Sequence, residues 1–115
     1  MAIKKVTVID YGLGNLLSIK RAFEKVNAEV TVTNDHKKIV DSPYVVLPGV
    51  GAYKNAMKSI HALNLIEPLR VIADKGVPIL GICLGAQLLL SESEEFGTTR
   101  GIDIIKGTVE HIKKF

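Results

Sequence analysis

The residue best placed to do chemistry in this 115-residue sequence is its single cysteine, Cys83, in the run Gly81-Ile82-Cys83-Leu84-Gly85. A strand-like segment precedes the run and a helix-like segment follows it, which is the pattern of a nucleophile elbow with cysteine as the nucleophile. Glycine on either side allows a sharp turn and close packing of helix and strands. A lone cysteine after an apolar strand is otherwise more often a small buried residue. The flanking glycines favour an exposed nucleophilic thiol.

A second glycine turn, Pro48-Gly49-Val50-Gly51, follows another short apolar run. Taken alone, it is typical of an ordinary turn at the end of a strand. Beside a cysteine elbow, however, its exposed backbone could bind an oxyanion. We identify the N–H groups of Val50 and Leu84 as candidate oxyanion donors.

A third glycine turn, Asp10-Tyr11-Gly12-Leu13-Gly14-Asn15, follows the first strand-like run. Gly12 and Gly14 before a helix suggest phosphate binding. The third glycine of the dinucleotide fingerprint is absent, because Leu17 occupies its place. The sequence therefore argues against a dinucleotide site, and it indicates no other cofactor and no metal.

Two further positions close to the elbow could contact a ligand. Gln87 lies four residues after Cys83, on the same face of the predicted helix. Glu92, Glu94 and Glu95 form an acidic run that we expect near the end of that helix. For at least two of these glutamates, a solvated surface position is the expected one.

A cysteine that attacks an acyl group needs a base, normally a histidine held by a carboxylate. The candidates are His36, His61 and His111. His36 falls in a lysine-rich polar segment, His61 in a helical segment, and His111 in a late strand-like run. None is predicted at the carboxyl end of a strand near the elbow, so surface or core histidine is the expectation for all three.

The elements that must position these residues alternate between strand and helix. Strand patterns cover 3–9, 28–33, 44–47 and 77–82, and helical patterns cover 16–26, 52–75 and 84–90, with Pro68 marking a break or a new first turn. Residues 34–42 are predicted as a loop, and 102–105 and 108–112 as two more strands. This order predicts one α/β domain over 1–115, with a mostly parallel sheet covered by helices on both faces. The three glycine turns then share the carboxyl edge of the sheet, where ligands bind.

Composition excludes several classes of protein. The formal net charge is only +3 and is spread along the chain, which argues against a nucleic-acid partner. No apolar stretch is long enough to span a membrane, and no signal peptide is visible. One cysteine cannot form an internal disulfide. We therefore expect a cytoplasmic protein in a reducing environment.

The three turns, together with Ser93-Glu94-Glu95-Phe96, resemble class I glutamine amidotransferases, in particular the subunits of imidazole glycerol phosphate synthase. The order and spacing of these segments match that family across essentially the whole chain. The cysteine elbow by itself resembles class I glutamine amidotransferases in general. The Asp-Tyr-Gly-x-Gly-Asn and Pro-Gly-Val-Gly segments narrow the resemblance to the synthase subunit or a close paralogue of it. It implies a three-layer, flavodoxin-like fold.

The resemblance also implies roles for individual residues. Cys83 would attack the side-chain amide of glutamine and form a glutamyl thioester, with Val50 and Leu84 as oxyanion donors. Residues lining the glutamine pocket would be Gly49, Gly51, Gln87 and Glu95. The partner would be a cyclase subunit with a (βα)8 barrel that uses the ammonia in histidine biosynthesis, and the partner-facing residues would be Tyr11, Gly12 and Asn15.

The sequence departs from the family at Ala86, where Met is frequent, and at Asn27, where Gly is frequent; neither affects the chemistry. Family members continue beyond Phe115, and their catalytic His and Glu lie in that later part. The resemblance therefore implies a C-terminally truncated domain with little activity alone. Two alternatives stay open: a non-catalytic assembly or binding module that keeps the fold, and a paralogue that supplies ammonia for sugar amidation.

Overall fold

The strands of the main sheet are short apolar runs rich in valine and isoleucine. In the computed structural model, which describes residues 3–112, they are β1 (Lys5–Ile9), β2 (Glu29–Thr33), β3 (Val45–Leu47) and β4 (Ile79–Gly81). All paired neighbours are parallel, in the order β2-β1-β3-β4. This is the start of a doubly wound sheet, and the predicted parallel sheet is confirmed.

Helices cover both faces of this sheet. They are α1 (Leu16–Lys25), α2 (His36–Val40), α3 (Tyr53–Ala62), α4 (Ile66–Asp74) and α5 (Leu84–Leu88). On one face, Ile19 and Phe23 of α1 pack against Val6, Val8 and Val46. On the other, apolar side chains of α2 to α5 form the larger core with Ile9 and Leu47. Because each strand alternates its side chains between the faces, both faces need a helical layer.

A second, smaller sheet follows α5. It contains β5 (Leu90–Ser93), β6 (Thr99–Arg100) and β7 (Ile105–Val109), in the order β6-β5-β7. The pair β5–β6 is antiparallel, and the pair β5–β7 is parallel. Ile102, between β6 and β7, is fully buried in the larger core and anchors this sheet to the domain.

The prediction of a loop over 34–42 was wrong, because α2 lies inside it. The Asp35 side chain accepts a hydrogen bond from the N–H of Lys37 at 3.0 Å and caps the helix. Ile39 is fully buried and fixes the helix on the core. The only apolar residues of the segment are Ile39 and Val40, which are adjacent. Two adjacent apolar residues give no helical periodicity, so the pattern did not predict a helix.

The predicted helix over 84–90 is correct only as far as Leu88. Leu90 begins β5 and pairs with Ile105, and Glu92 lies on that strand rather than near the end of a helix. The two strands predicted at 102–105 and 108–112 are replaced by one strand, β7 (Ile105–Val109), which runs through Lys106 and Gly107. Residues 102–104 and 110–112 lie outside that strand. Pairing with β5 outweighs the local turn signal of Lys-Gly, as tertiary context often does for strands.

The long helical segment 52–75 is two helices. α3 ends with Leu63 as its C-cap, and Asn64 adopts a φ of 53°, a left-handed conformation that ends helices. Pro68 lies in the first turn of α4, where its missing N–H costs little. The prediction of a new first turn at Pro68 is confirmed. The interruption between the two helices lies a few residues earlier, between Ala62 and Ile66.

Candidate active site

Cys83 stands at the junction between β4 and α5 with a strained backbone. Its φ is 54° and its ψ is −123°, values that residues with a side chain rarely adopt. The residue is exposed. A strained, exposed cysteine between a strand and a helix is the geometry expected of a nucleophile elbow, and it excludes the alternative of a buried structural cysteine.

The glycines around Cys83 are required by close backbone contacts. A Cβ on Gly81 would lie 2.6 Å from the Cα of Ala86, and one on Gly85 would lie 2.7 Å from the carbonyl carbon of Leu47. Both distances are too short for a side chain of any kind. The elbow is therefore pressed directly against its own helix and against the end of β3.

The second glycine turn lies beside the elbow, because β3 and β4 are neighbours in the sheet. A Cβ on Gly49 would lie 2.9 Å from the backbone nitrogen of Gly85 and 3.1 Å from the Cβ of Leu84. Within residues 3–112, neither the N–H of Val50 nor that of Leu84 donates to another group. The candidate oxyanion donors are thus on adjacent turns and unpaired there.

The third glycine turn braces the second. The Tyr11 hydroxyl donates a hydrogen bond to the carbonyl oxygen of Pro48. A Cβ on Gly14, whose φ is 132°, would lie 3.1 Å from the Cβ of Pro48. Burial raises the pKa of Tyr11 to about 12, so its hydroxyl stays a donor at neutral pH. All three predicted turns meet at one edge of the sheet.

Comparison with known proteins identifies the family. Residues 7–114 match the family model for "Glutamine amidotransferase class-I". This chain belongs to the class I glutamine amidotransferase family. The assignment agrees with the resemblance carried by the glycine turns and the elbow, and with the observed α/β fold.

Several curated relatives of this class I amidotransferase chain share one name, imidazole glycerol phosphate synthase subunit HisH. The protein from Chlorobium chlorochromatii is 49% identical over 92% of this chain and 53% of its own length. Those from Moorella thermoacetica and Geobacter sulfurreducens are 45% and 43% identical, over 95% and 96% of this chain and 52% of each relative. The chain spans about half the length of the curated relatives it matches.

The residues expected to line a glutamine pocket lie on different elements of the amidotransferase chain. Gly51 has a φ of 100° and open space where a side chain would be. Glu95 accepts a hydrogen bond from the N–H of Tyr53, the first residue of α3, at 3.3 Å. This bond ties Glu95 to the helix that follows Gly51. Gln87 is exposed on α5, one turn from Cys83.

Ser93 is a supporting residue that the sequence did not single out. It is fully buried, and its hydroxyl accepts a hydrogen bond from the N–H of Glu95 at 3.1 Å. The bond holds the backbone of Glu95 in a tight turn after β5. A serine whose hydroxyl accepts from the N–H two residues later has the spacing of a serine turn, and this spacing is visible in the sequence.

The three residues expected at a partner surface differ in their exposure to solvent. The side chain of Tyr11 is only 3% exposed and points into the domain. Gly12 and Asn15 are exposed, and the Asn15 side chain also caps α1 by accepting a hydrogen bond from Ser18. Accessible surface in this turn therefore belongs to Gly12 and Asn15, whereas the Tyr11 ring acts inside the chain.

Within residues 3–112, no histidine of the amidotransferase chain forms a hydrogen bond with Cys83. His36 is the first residue of α2, and its Nε2 is 2.9 Å from the carbonyl oxygen of Leu63. His61 is in the last turn of α3, and His111 follows β7. That none of the three histidines serves as the base stays a prediction.

Between Ile3 and Ile112, no group of three or more His, Cys, Asp or Glu side chains is placed to hold a metal ion. No helix in that part of the chain is long and apolar enough to cross a membrane.

Proposed function

We propose that this chain forms the nucleophile-bearing part of a glutaminase, the glutamine amidotransferase subunit of imidazole glycerol phosphate synthase. The observation that carries the proposal is the strained, exposed Cys83 at the strand-to-helix junction. Two backbone N–H groups on the neighbouring turns, those of Val50 and Leu84, have no acceptor among residues 3–112. Membership of the class I family and the names of the relatives support the proposal.

In the proposed reaction, the sulfur of Cys83 attacks the side-chain amide carbon of glutamine. The C=O electron pair moves onto oxygen, and the developing oxyanion accepts hydrogen bonds from Val50 and Leu84. When the C–N bond breaks, the amide nitrogen takes a proton and leaves as ammonia, and a glutamyl thioester remains. Water then attacks the thioester, which releases glutamate and restores the thiol.

Substrate recognition in this proposal falls to Gly49, Gly51, Gln87 and Glu95. The carboxylate of Glu95 offers a negative charge suited to the α-ammonium group of glutamine. The backbone around Gly51 is open enough for the substrate to approach closely. The amide of Gln87 can donate to and accept from the polar groups of the substrate.

Proton transfer needs a base, and no histidine within residues 3–112 forms a hydrogen bond with Cys83. We propose that a histidine and a glutamate complete the site. Both would come from a polypeptide segment that corresponds to the part of the relatives that this chain does not match. The 115-residue chain alone is then expected to release negligible ammonia at steady state, because neither thioester formation nor hydrolysis has its proton carrier.

The ammonia acceptor in this proposal is a cyclase subunit with a (βα)8 barrel that works in histidine biosynthesis. The turn containing Gly12 and Asn15 would face it, since this turn is exposed at the same edge of the sheet as Cys83. The single cysteine must stay reduced to act, which favours the cytoplasm.

The test is covalent labelling of Cys83 by the chloromethyl ketone analogue of glutamine. This reagent passes through an oxyanion and carries the glutamate backbone, whereas iodoacetamide needs only an accessible thiolate. We expect the glutamine analogue to label Cys83 at least tenfold faster than a chloromethyl ketone lacking the α-amino and α-carboxylate groups. Equal rates for the two ketones would contradict the proposal and favour a non-catalytic binding module.

Assembly with the complete enzyme distinguishes the remaining alternative. A chimera that adds the second half of the Moorella thermoacetica relative is expected to release ammonia from glutamine and to support imidazole glycerol phosphate formation with a cyclase. Ammonia release that supports only sugar amidation would point to the paralogue. The Cys83→Ala chimera is the control, and it should be inactive.

A further inference from the structure

The ring of Tyr11 lies underneath the proposed oxyanion loop. Its hydroxyl donates to the carbonyl oxygen of Pro48, and no other donor reaches that oxygen within residues 3–112. The side chain is almost completely buried. A phenol that stays protonated at neutral pH supplies this bond without competition from water.

This bond fixes the orientation of the turn by a short covalent route. The carbonyl of Pro48 and the N–H of Gly49 belong to one planar peptide unit. Holding the Pro48 oxygen therefore sets the plane of that unit, and the N–H of Val50 belongs to the next unit. Only the two soft dihedrals of Gly49 lie between the held plane and the Val50 donor.

The elbow also approaches Gly49 on the side that faces Tyr11. A Cβ on Gly49 would collide with the Tyr11 hydroxyl and would lie 2.9 Å from the Gly85 nitrogen. The phenol and the backbone that follows Cys83 therefore both pack against this face of the glycine. Rotation of Gly49 that moved its backbone towards either group would be opposed by these contacts.

From this geometry we infer that Tyr11 is a positioning residue, which holds the Pro48–Gly49 peptide so that the Val50 N–H can meet the oxyanion formed at Cys83. The inference rests on the proposed function. It assigns to Tyr11 a role inside the site, in addition to any contribution of the neighbouring turn to a partner surface.

The test compares two labelling rates in wild type and in Tyr11→Phe, using the 115-residue chain. The chloromethyl ketone analogue of glutamine depends on oxyanion donors, and iodoacetamide does not. We expect Tyr11→Phe to lower the ratio of the two rates at least fivefold while the iodoacetamide rate changes less than twofold. A structural defect alone would alter both rates.

The matched control is Tyr53→Phe, which removes another buried tyrosine hydroxyl, one that lies against Gly101 and not against Gly49. The Tyr53 hydroxyl has no hydrogen-bond partner between residues 3 and 112, so its loss should leave the ratio within twofold of wild type. If Tyr11→Phe is partly unfolded, wild type and both variants are compared in the presence of an osmolyte that restores the folded state. Circular dichroism verifies that all three proteins are folded under these conditions.

The outcomes separate this inference from the proposed function. If wild type shows no preference for the glutamine analogue over the ketone that lacks the glutamate backbone, the proposed function fails. If wild type shows that preference and folded Tyr11→Phe keeps the full rate ratio, only the role of Tyr11 is overturned. A fivefold loss confined to Tyr11→Phe supports it.

Discussion

The Cα of Gly85 packs against the end of β3 so closely that a methyl group there would lie 2.7 Å from the carbonyl carbon of Leu47. The obstacle is backbone, which cannot rotate away as a side chain can. Gly85 thus joins the start of α5 to the strand that carries the second glycine turn. This contact fixes the separation of the turn that carries Cys83 from the turn that carries the proposed Val50 donor.

Gly85→Ala is expected to destabilise the fold by about 3 kcal/mol or more, because the added methyl overpacks a rigid contact. The measurement is urea unfolding followed by circular dichroism. Gly76→Ala serves as the control, since its φ of 79° is strained but its Cβ would meet open space; strain alone should cost about 1 kcal/mol. Equal losses of unfolding free energy in the two variants would contradict this prediction, because they would show that the contact with Leu47 adds nothing to the cost of backbone strain.

Glu95→Ala is expected to lower stability by about 1 kcal/mol, because it removes a charged acceptor from the first N–H of α3. Glu94→Ala is the control: Glu94 is exposed and its side chain accepts no hydrogen bond within residues 3–112, so its loss should be near zero. Thermal unfolding measures both. A larger effect at Glu94 would contradict the role of Glu95 as the anchor of α3.

Asp103 is expected to contribute to the acid sensitivity of the chain. The hydrogen bond from Lys106, at 2.8 Å, is the main cause that holds the pKa of Asp103 below its ordinary value. A carboxyl whose pKa is lowered by folding stabilises the folded state above its unfolded pKa of about 3.9, and this contribution is lost as pH falls through the folded pKa.

Asp103→Asn should therefore lower the urea midpoint at pH 7, and the difference from wild type should shrink as the pH falls below about 4. Asparagine tolerates the φ of 61° at this position, so the backbone is preserved. Asp74→Asn, whose carboxylate forms no hydrogen bond or ion pair in the part of the chain that the structure describes, should show a smaller dependence. A difference for Asp103→Asn that stays constant from pH 7 to pH 2 would contradict this prediction.

The β4 edge of the main sheet is expected to make the isolated chain self-associate. Leu80 on β4 is 51% exposed and borders an apolar groove of about 400 Å³ together with Phe23, Val26 and Tyr44. An unpaired edge beside exposed apolar surface favours association. Sedimentation velocity of the 115-residue chain should therefore show dimers or larger species.

Leu80→Lys should shift the chain towards monomer, because a charge on an edge strand opposes pairing. Leu17→Lys is the control, since Leu17 is 56% exposed but lies on α1 outside that groove. If the wild-type chain sediments as a stable monomer at high concentration, the β4 edge does not cause self-association and the prediction is contradicted. If both lysine variants act alike, the effect is one of net charge alone.

The elements that sequence alone predicted correctly have a strong local signal. Three strands of the main sheet, β1 to β3, are rich in β-branched residues. Helix α1 shows a clear apolar face that ends at Asn27, whose φ of 67° is left-handed. The glycines around Cys83 and the order of strands and helices were enough to place the three turns at one edge. Each of these features is a property of a few neighbouring residues.

Elements that depend on distant contacts could not be predicted in the same way. α2 exists because Ile39 reaches the core and His36 contacts Leu63, and β5 and β7 exist because they pair with each other. Leu89 and Leu90 continue an apolar run that fits helix or strand equally well. Leu90 lies in a strand because it pairs with Ile105, fifteen residues further along the chain.

For the candidate site, the sequence by itself identified Cys83 as the candidate nucleophile and predicted which turns lie around it. Only the tertiary structure decided how those turns are held: the Tyr11 side chain points inwards to Pro48, and Glu95 is tied to the first turn of α3. The physical reason is that residue type and spacing fix local backbone shape. The direction of a side chain depends on which distant surface is available to bury it or accept its hydrogen bond.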